Sequence, residues 1–143
     1  MRTRPESIKP HRGKLAVLLP GMGAVATTFI AGVMLARRGL AQPVGSMTQM
    51  GTIRLGKRTD ERAPLVKDFV TLAPLDDLVF GGWDIFEDDA LEAARDAKVL
   101  DSKDLDPIAN ELGTVRPMKG AFYPEYVKRL HGTHIKSAGS KAE

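Results

Sequence analysis

The sequence predicts an α/β domain: a parallel sheet with flanking helices. Three observations support this. The apolar run Leu15–Leu19 passes through Pro20 into Gly21-Met22-Gly23-Ala24-Val25-Ala26, a G-x-G-x-x-A turn that opens a helix-like segment. That order is the strand–turn–helix unit which binds phosphates at the edge of a dinucleotide-binding sheet. A second apolar run, Leu78-Val79-Phe80, meets Gly81-Gly82-Trp83-Asp84, and ligands of parallel sheets bind beyond the carboxyl ends of strands. Finally, 143 residues with 43% hydrophobic and 27% charged side chains suit one globular domain with a sizeable core.

The elements follow in order. Residues 1–13 are polar, carry Pro5 and Pro10, and read as an N-terminal arm. Lys14–Leu19 reads as a short strand buried on both faces. In the turn, Gly21 permits the tight bend, Gly23 lets a pyrophosphate approach the backbone, and Ala26 is small enough for close helix–strand packing. The helix N-terminus then offers free N–H groups and a positive dipole end. Ala24–Arg38 reads as that helix, with Ala24, Ala31 and Gly32 allowing a close approach to the sheet. Arg37 and Arg38 sit in its last turn, and Gly39 is the expected stop.

A ribose-reading acid is expected about 20 residues beyond the glycines, yet no acid occurs between Gly13 and Asp60. Gly45–Lys57 is instead polar, Gly-punctuated and weakly strand-like. Asp68–Leu72 reads as a short strand, and Pro74-Leu75-Asp76-Asp77 as a turn. Leu78–Phe80 reads as a strand ending at the double glycine. Asp84 then has two readings: it accepts ribose hydroxyls, or it caps a helix starting near Ile85–Asp88. Asp88–Lys98 and Asp106–Leu112 read as helices, the second with Pro107 in its first turn. Phe122–Val127 reads as an aromatic anchor entering a short helix. The domain is expected over residues 14–130, with a polar tail over 131–143.

Composition narrows the function. Cysteine is absent, which removes disulfides and thiolate metal sites. His11, His131 and His134 lack a metal-binding spacing, so no metal site is expected. The net charge of +3 gathers at the chain ends, without the interleaved aromatics of a base-stacking surface, so no nucleic-acid partner is expected. Residues 15–36 are uncharged, but Pro20-Gly21-Met22-Gly23 interrupts them. A core strand and helix account for them without a membrane, and a cytoplasmic location is expected.

Several runs occur together: Leu18-Leu19-Pro20-Gly21-Met22-Gly23, Gly45-Ser46-Met47-Thr48-Gln49, Thr52-Ile53-Arg54-Leu55-Gly56, Val79-Phe80-Gly81-Gly82-Trp83-Asp84-Ile85 and Lys98-Val99-Leu100-Asp101. In that order they resemble the N-terminal part of the inositol-3-phosphate synthase (myo-inositol-1-phosphate synthase) family, from about Lys14 to Val127. The resemblance implies a Rossmann-like NAD-binding domain whose parallel sheet is incomplete here. It implies that NAD is the cofactor and D-glucose 6-phosphate the substrate. Oxidation, enolisation, intramolecular aldol closure and re-reduction would yield 1D-myo-inositol 3-phosphate. By position, Gly21, Met22, Gly23, Ala24 and Val25 match the pyrophosphate loop, and Asp84 with Ile85 matches the ribose-binding strand end. The family's catalytic lysines belong to a region beyond this chain, so no catalytic residue is assigned, and Lys57, Lys67 and Lys119 read as surface residues. The resemblance also implies a homo-oligomer, a tetramer, for the full-length enzyme. The chain alone is expected to be inactive. The alternatives are a non-catalytic nucleotide-binding module or a truncated product without function.

Overall fold

A computed structural model describes residues 12–137. Most of the expected arm and the end of the expected tail lie outside the described residues. In chain order the elements are β1 (Leu15–Pro20), α1 (Ala24–Arg37), α2 (Met47–Met50), β2 (Leu78–Asp84), α3 (Ala90–Ala97), α4 (Ser102–Leu105), α5 (Ala109–Leu112) and β3 (Met118–Lys119). Single 3-10 turns lie at Arg58–Asp60, Val66–Asp68, Leu75–Asp77 and Asp106–Ile108. The described residues divide into two compact units, with Ala16–Gln42 and the described segment from Val79 onward forming the larger.

The larger unit is Rossmann-like. Its three strands form a parallel sheet in the order β1-β2-β3. Trp83 pairs with Met118, and Asp84 with Lys119. A parallel bridge between Gly120 and Ile135 continues the pairing past β3. The core lies between the sheet and the helices. Met22, Ile30, Ala31, Met34 and Leu35 pack with Ala90 and Ala94 of α3, with Leu105, Ile108 and Leu112, and with Val115. Leu19 and Phe80 meet this cluster from the strands. Burying such side chains is the main favourable term in folding, about 1.5–3 kcal/mol for each large one.

α1 forms where its uncharged sequence and bounding glycines place it. At its end the Gly39 N–H donates to the Ala36 carbonyl and the Leu40 N–H to the Leu35 carbonyl. With Gly39 at φ +67°, this is a Schellman stop. Of the three small residues expected against the sheet, Ala31 is buried, whereas Ala24 and Gly32 are exposed. β1 is not buried on both faces: Leu18, on the face opposite Leu19, is 53% exposed, and Leu15 at the start of the strand is 44% exposed.

β2 does not stop at the double glycine but runs on to Asp84. The glycines let the strand pass close to its neighbour: a Cβ on Gly82 would overlap the Leu19 carbonyl oxygen and lie 3.1 Å from Met22 Cγ and Sδ. The helix expected from Asp88 begins at Ala90, and Asp89 caps it by accepting from the Leu91 and Glu92 amides. Asp106–Leu112 is a 3-10 turn leading into α5, preceded by the short α4. Phe122–Val127 is not helical; the Tyr126 N–H donates to the Tyr123 carbonyl in a turn.

The smaller unit comprises Pro43–Leu78 and the described residues up to Leu15. Its Gly45–Lys57 stretch forms α2 and one antiparallel bridge, Thr52 to Leu65, rather than a strand. The expected strand at Asp68–Leu72 is absent. The Asp68 carboxylate accepts from the Leu65 N–H at 3.2 Å, and such local bonds compete with sheet ladders. Lys14 Nζ donates to the Asp76 carbonyl at 2.9 Å.

Candidate functional site

The turn after β1 leads directly into the N-terminus of α1. Gly21 adopts φ +96°, a conformation that side chains strain to reach. Its N–H donates to the Trp83 carbonyl at 2.8 Å, which ties the turn to β2. Met22 is 2% exposed, so its side chain plugs the turn into the core. Gly23 caps α1 with no side-chain hydrogen bond, and the first turn of the helix carries no acid. The opening N–H groups of a helix have no intrahelical partner. Thr27 Oγ1 donates back to the Gly23 carbonyl at 3.1 Å. A Cβ added at Gly23 would meet nothing within 4 Å, so the space in front of the turn is open. Val25 is 87% exposed.

Asp84 stands at the end of the adjacent strand. Its Oδ2 accepts from the Met22 N–H at 2.6 Å, and its Oδ1 accepts from the Phe86 N–H at 3.1 Å. It therefore caps no helix, and the capping alternative falls. Sixty-two residues apart in sequence, the acid and the turn meet directly. A carboxylate offers about four acceptor sites, so two remain for ligand hydroxyls. Ile85 continues the strand end. Its carbonyl accepts from the His134 N–H at 2.9 Å, and a Cβ on Gly132 would come within 2.5 Å of Ile85. Residues 132–136 thus close over this end of the sheet.

The two strand ends open on one cavity of about 730 Å³, within the range of cofactor sites. Gly21, Gly23, Asp84 and Ile85 line it, with Trp83 beside them. Met22, Ala24 and Val25 do not line it, although the Met22 amide is held by Asp84. Lys119, Tyr123 and Lys136 line it as well. Lys119 is exposed, as the sequence reading has it, and the signal that it also lines the cavity is Met118-Lys119-Gly120, a third strand end running into glycine. The cavity therefore gathers amide donors, one carboxylate and two ammonium groups. This set suits a polyphosphate joined to a diol. Among the described residues, no group of three or more His, Asp or Glu side chains could hold a metal ion. Among the same residues, no helix is long and apolar enough to cross a membrane.

The chain is similar to known proteins in sequence and in fold. The NAD-binding family model described as myo-inositol-1-phosphate synthase matches residues 15–143. An inositol-3-phosphate synthase of Bacteroides thetaiotaomicron is 50% identical over 139 residues, covering 96% of this chain and 32% of the relative. One from Oryza sativa subsp. japonica is 32% identical, covering 98% of this chain and 31% of its own. The crystal structure of inositol-3-phosphate synthase from Caenorhabditis elegans superposes with a TM-score of 0.73 at 21% identity, covering 91% of this chain and 28% of that one. The chain thus spans about a third of the length of these relatives.

Proposed function

The chain belongs to the myo-inositol-1-phosphate synthase family, and from that premise we propose that it carries the NAD-holding part of a synthase acting on D-glucose 6-phosphate. One observation carries the reading: the Met22 amide of the glycine turn is bonded to the Asp84 carboxylate, and both strand ends face one cavity.

The residues present fit NAD. The open space in front of Gly23 admits a pyrophosphate against the backbone. Gly23 lines the cavity, and the dipole of α1, which opens at Gly23, favours the pyrophosphate charge. The two free acceptor sites of Asp84 match the paired hydroxyls of a ribose. Ile85 offers an apolar wall beside that ribose. In the whole synthase, bound NAD supplies a reversible hydride acceptor for the net isomerisation of D-glucose 6-phosphate to 1D-myo-inositol 3-phosphate. This chain's residues bind and orient. Gly21 sets the turn, Met22 anchors it in the core, and Asp84 fixes turn and ribose to one frame. No general acid, base or nucleophile is assigned to this chain, so it binds cofactor without turning substrate over by itself.

The test pairs binding with turnover. NAD is titrated into the 143-residue chain while the fluorescence of Trp83, the only tryptophan, is followed. Saturable quenching with no conversion of glucose 6-phosphate is expected. No NAD response at millimolar concentration would refute the cofactor assignment. Conversion by the chain alone would refute the division of labour.

A further inference from the structure

We propose that residues 121–133 form a strap that closes over a base of the dinucleotide when the cofactor binds. The closure rests on the NAD reading above and adds to it a movement of this chain.

Both ends of the strap are fixed to the strand end that carries Asp84. The Gly120 N–H donates to the Asp84 carbonyl at 3.0 Å and to the His134 carbonyl at 3.1 Å. The His134 N–H donates to the Ile85 carbonyl at 2.9 Å, and the Lys136 N–H to the Gly120 carbonyl at 2.9 Å. Gly120 also pairs in parallel with Ile135, so the chain leaves the sheet and returns to it at one place. At both pivots the backbone is pressed against β2 and its extension. A Cβ on Gly120 would lie 3.1 Å from the Asp84 carbonyl oxygen, and one on Gly132 would lie 2.5 Å from Ile85. A surface loop of this length whose ends meet is an Ω-loop.

Between its pivots the strap has no buried residue. The Tyr126 N–H donates to the Tyr123 carbonyl and the Leu130 N–H to the Val127 carbonyl, and these bonds shape turns inside the strap itself. The Tyr123 and Tyr126 rings meet edge to face with centroids 6.1 Å apart. A segment with few buried apolar contacts and exposed backbone shifts at a small cost in free energy.

The strap turns apolar side chains toward the cavity. Phe122, Tyr123, Val127 and Leu130 line it together with Gly21 and Asp84. Val127 and Leu130 nevertheless stay 45% and 39% exposed, so this wall is apolar surface without its full cover. With a pyrophosphate at the glycine turn and a ribose at Asp84, an attached base would lie beside that wall. The flat faces of the base suit aromatic and branched aliphatic side chains. Closure would bury Val127 and Leu130 on the base, a contact that exists only with the cofactor in place. A ligand shifts a conformational equilibrium by its differential affinity for the two states, so the cofactor itself drives the strap shut. The closed strap shields the ribose end from water, as lids do.

The test follows the strap and the cofactor separately in the full chain. The chain has no cysteine and one tryptophan, Trp83, which lines the cavity. Lys128, exposed on the strap, is changed by Lys128→Cys and labelled with bimane, a dye quenched by a nearby indole. Saturating NAD should lower bimane emission at least about twofold, over the same concentrations that quench Trp83 in the wild type. Adding Trp83→Phe should abolish the fall. In the wild type, tryptic cleavage after Arg129 should slow about tenfold with NAD, while cleavage after Arg58 of the smaller unit keeps its rate. A saturable Trp83 response with bimane emission and Arg129 cleavage both unchanged overturns the closure. So does a fall in emission that survives Trp83→Phe, or equal protection at Arg129 and Arg58, because neither reports a movement of the strap. Failure of the wild type to respond to NAD at all would instead overturn the cofactor reading.

Discussion

Replacing Asp84 by alanine removes the acceptor that joins the glycine turn to β2. Two amides lose a partner, Met22 at 2.6 Å and Phe86 at 3.1 Å. The Phe86 contact is exposed, so water replaces the carboxylate there at little cost. The Met22 contact is part-buried, and a hydrogen bond to a charged acceptor is worth about 1.5–3 kcal/mol. The net destabilisation should therefore be about 2 kcal/mol, a fall in Tm of roughly 6–8 °C for a domain of this size. NAD affinity should fall about 100-fold or more, because ribose acceptor and turn geometry are lost together. Asp84→Asn keeps one acceptor oxygen without the charge and should lie between the two. The assay is a circular-dichroism melt with a parallel NAD titration. If Asp84→Ala melts within about 1 °C of wild type, the carboxylate does not brace the turn and the reasoning fails.

Other substitutions separate folding from binding. Gly82→Ala places a Cβ on the Leu19 carbonyl oxygen and against Met22; it should cost about 2–3 kcal/mol in a urea titration and displace the turn. Gly23→Ala meets open space at a conventional φ. Its melt should match wild type within about 0.5 kcal/mol, while NAD binding weakens by at least about tenfold, because the methyl occupies the approach to the backbone. Asp89→Ala removes the cap of α3, which accepts from the Leu91 and Glu92 amides. A melt should show a loss of about 1–2 kcal/mol, with NAD affinity unchanged in the folded fraction.

The parts of this structure legible in the sequence are those set by adjacent residues. The glycine turn, α1 and the Gly39 stop depend on backbone freedom and dipole over a few positions, and all three stand where residue chemistry places them. The capping reading of Asp84 failed because the carboxylate's partner is Met22, far along the chain. Nothing near Asp84 announces that bond. The strand expected at Asp68–Leu72 failed for the opposite reason, a local one: Asp68 folds back on Leu65. β3 has only two residues, too few to alternate visibly, and it exists because Met118 and Lys119 complete a ladder with Trp83 and Asp84. Phe122–Val127 carries the aromatic and proline marks of a helix start, yet the pairing of Gly120 with Ile135 holds the chain in a different course.

The most direct test of the central claim is an NMR titration of the ¹⁵N-labelled chain with NAD, following backbone amides. The account predicts saturable shifts concentrated at Gly21, Met22, Gly23, Ala24 and Val25 and at Asp84 and Ile85, with the amides of α3 and α5 unmoved. A saturable response centred elsewhere, or none at these amides, would contradict it.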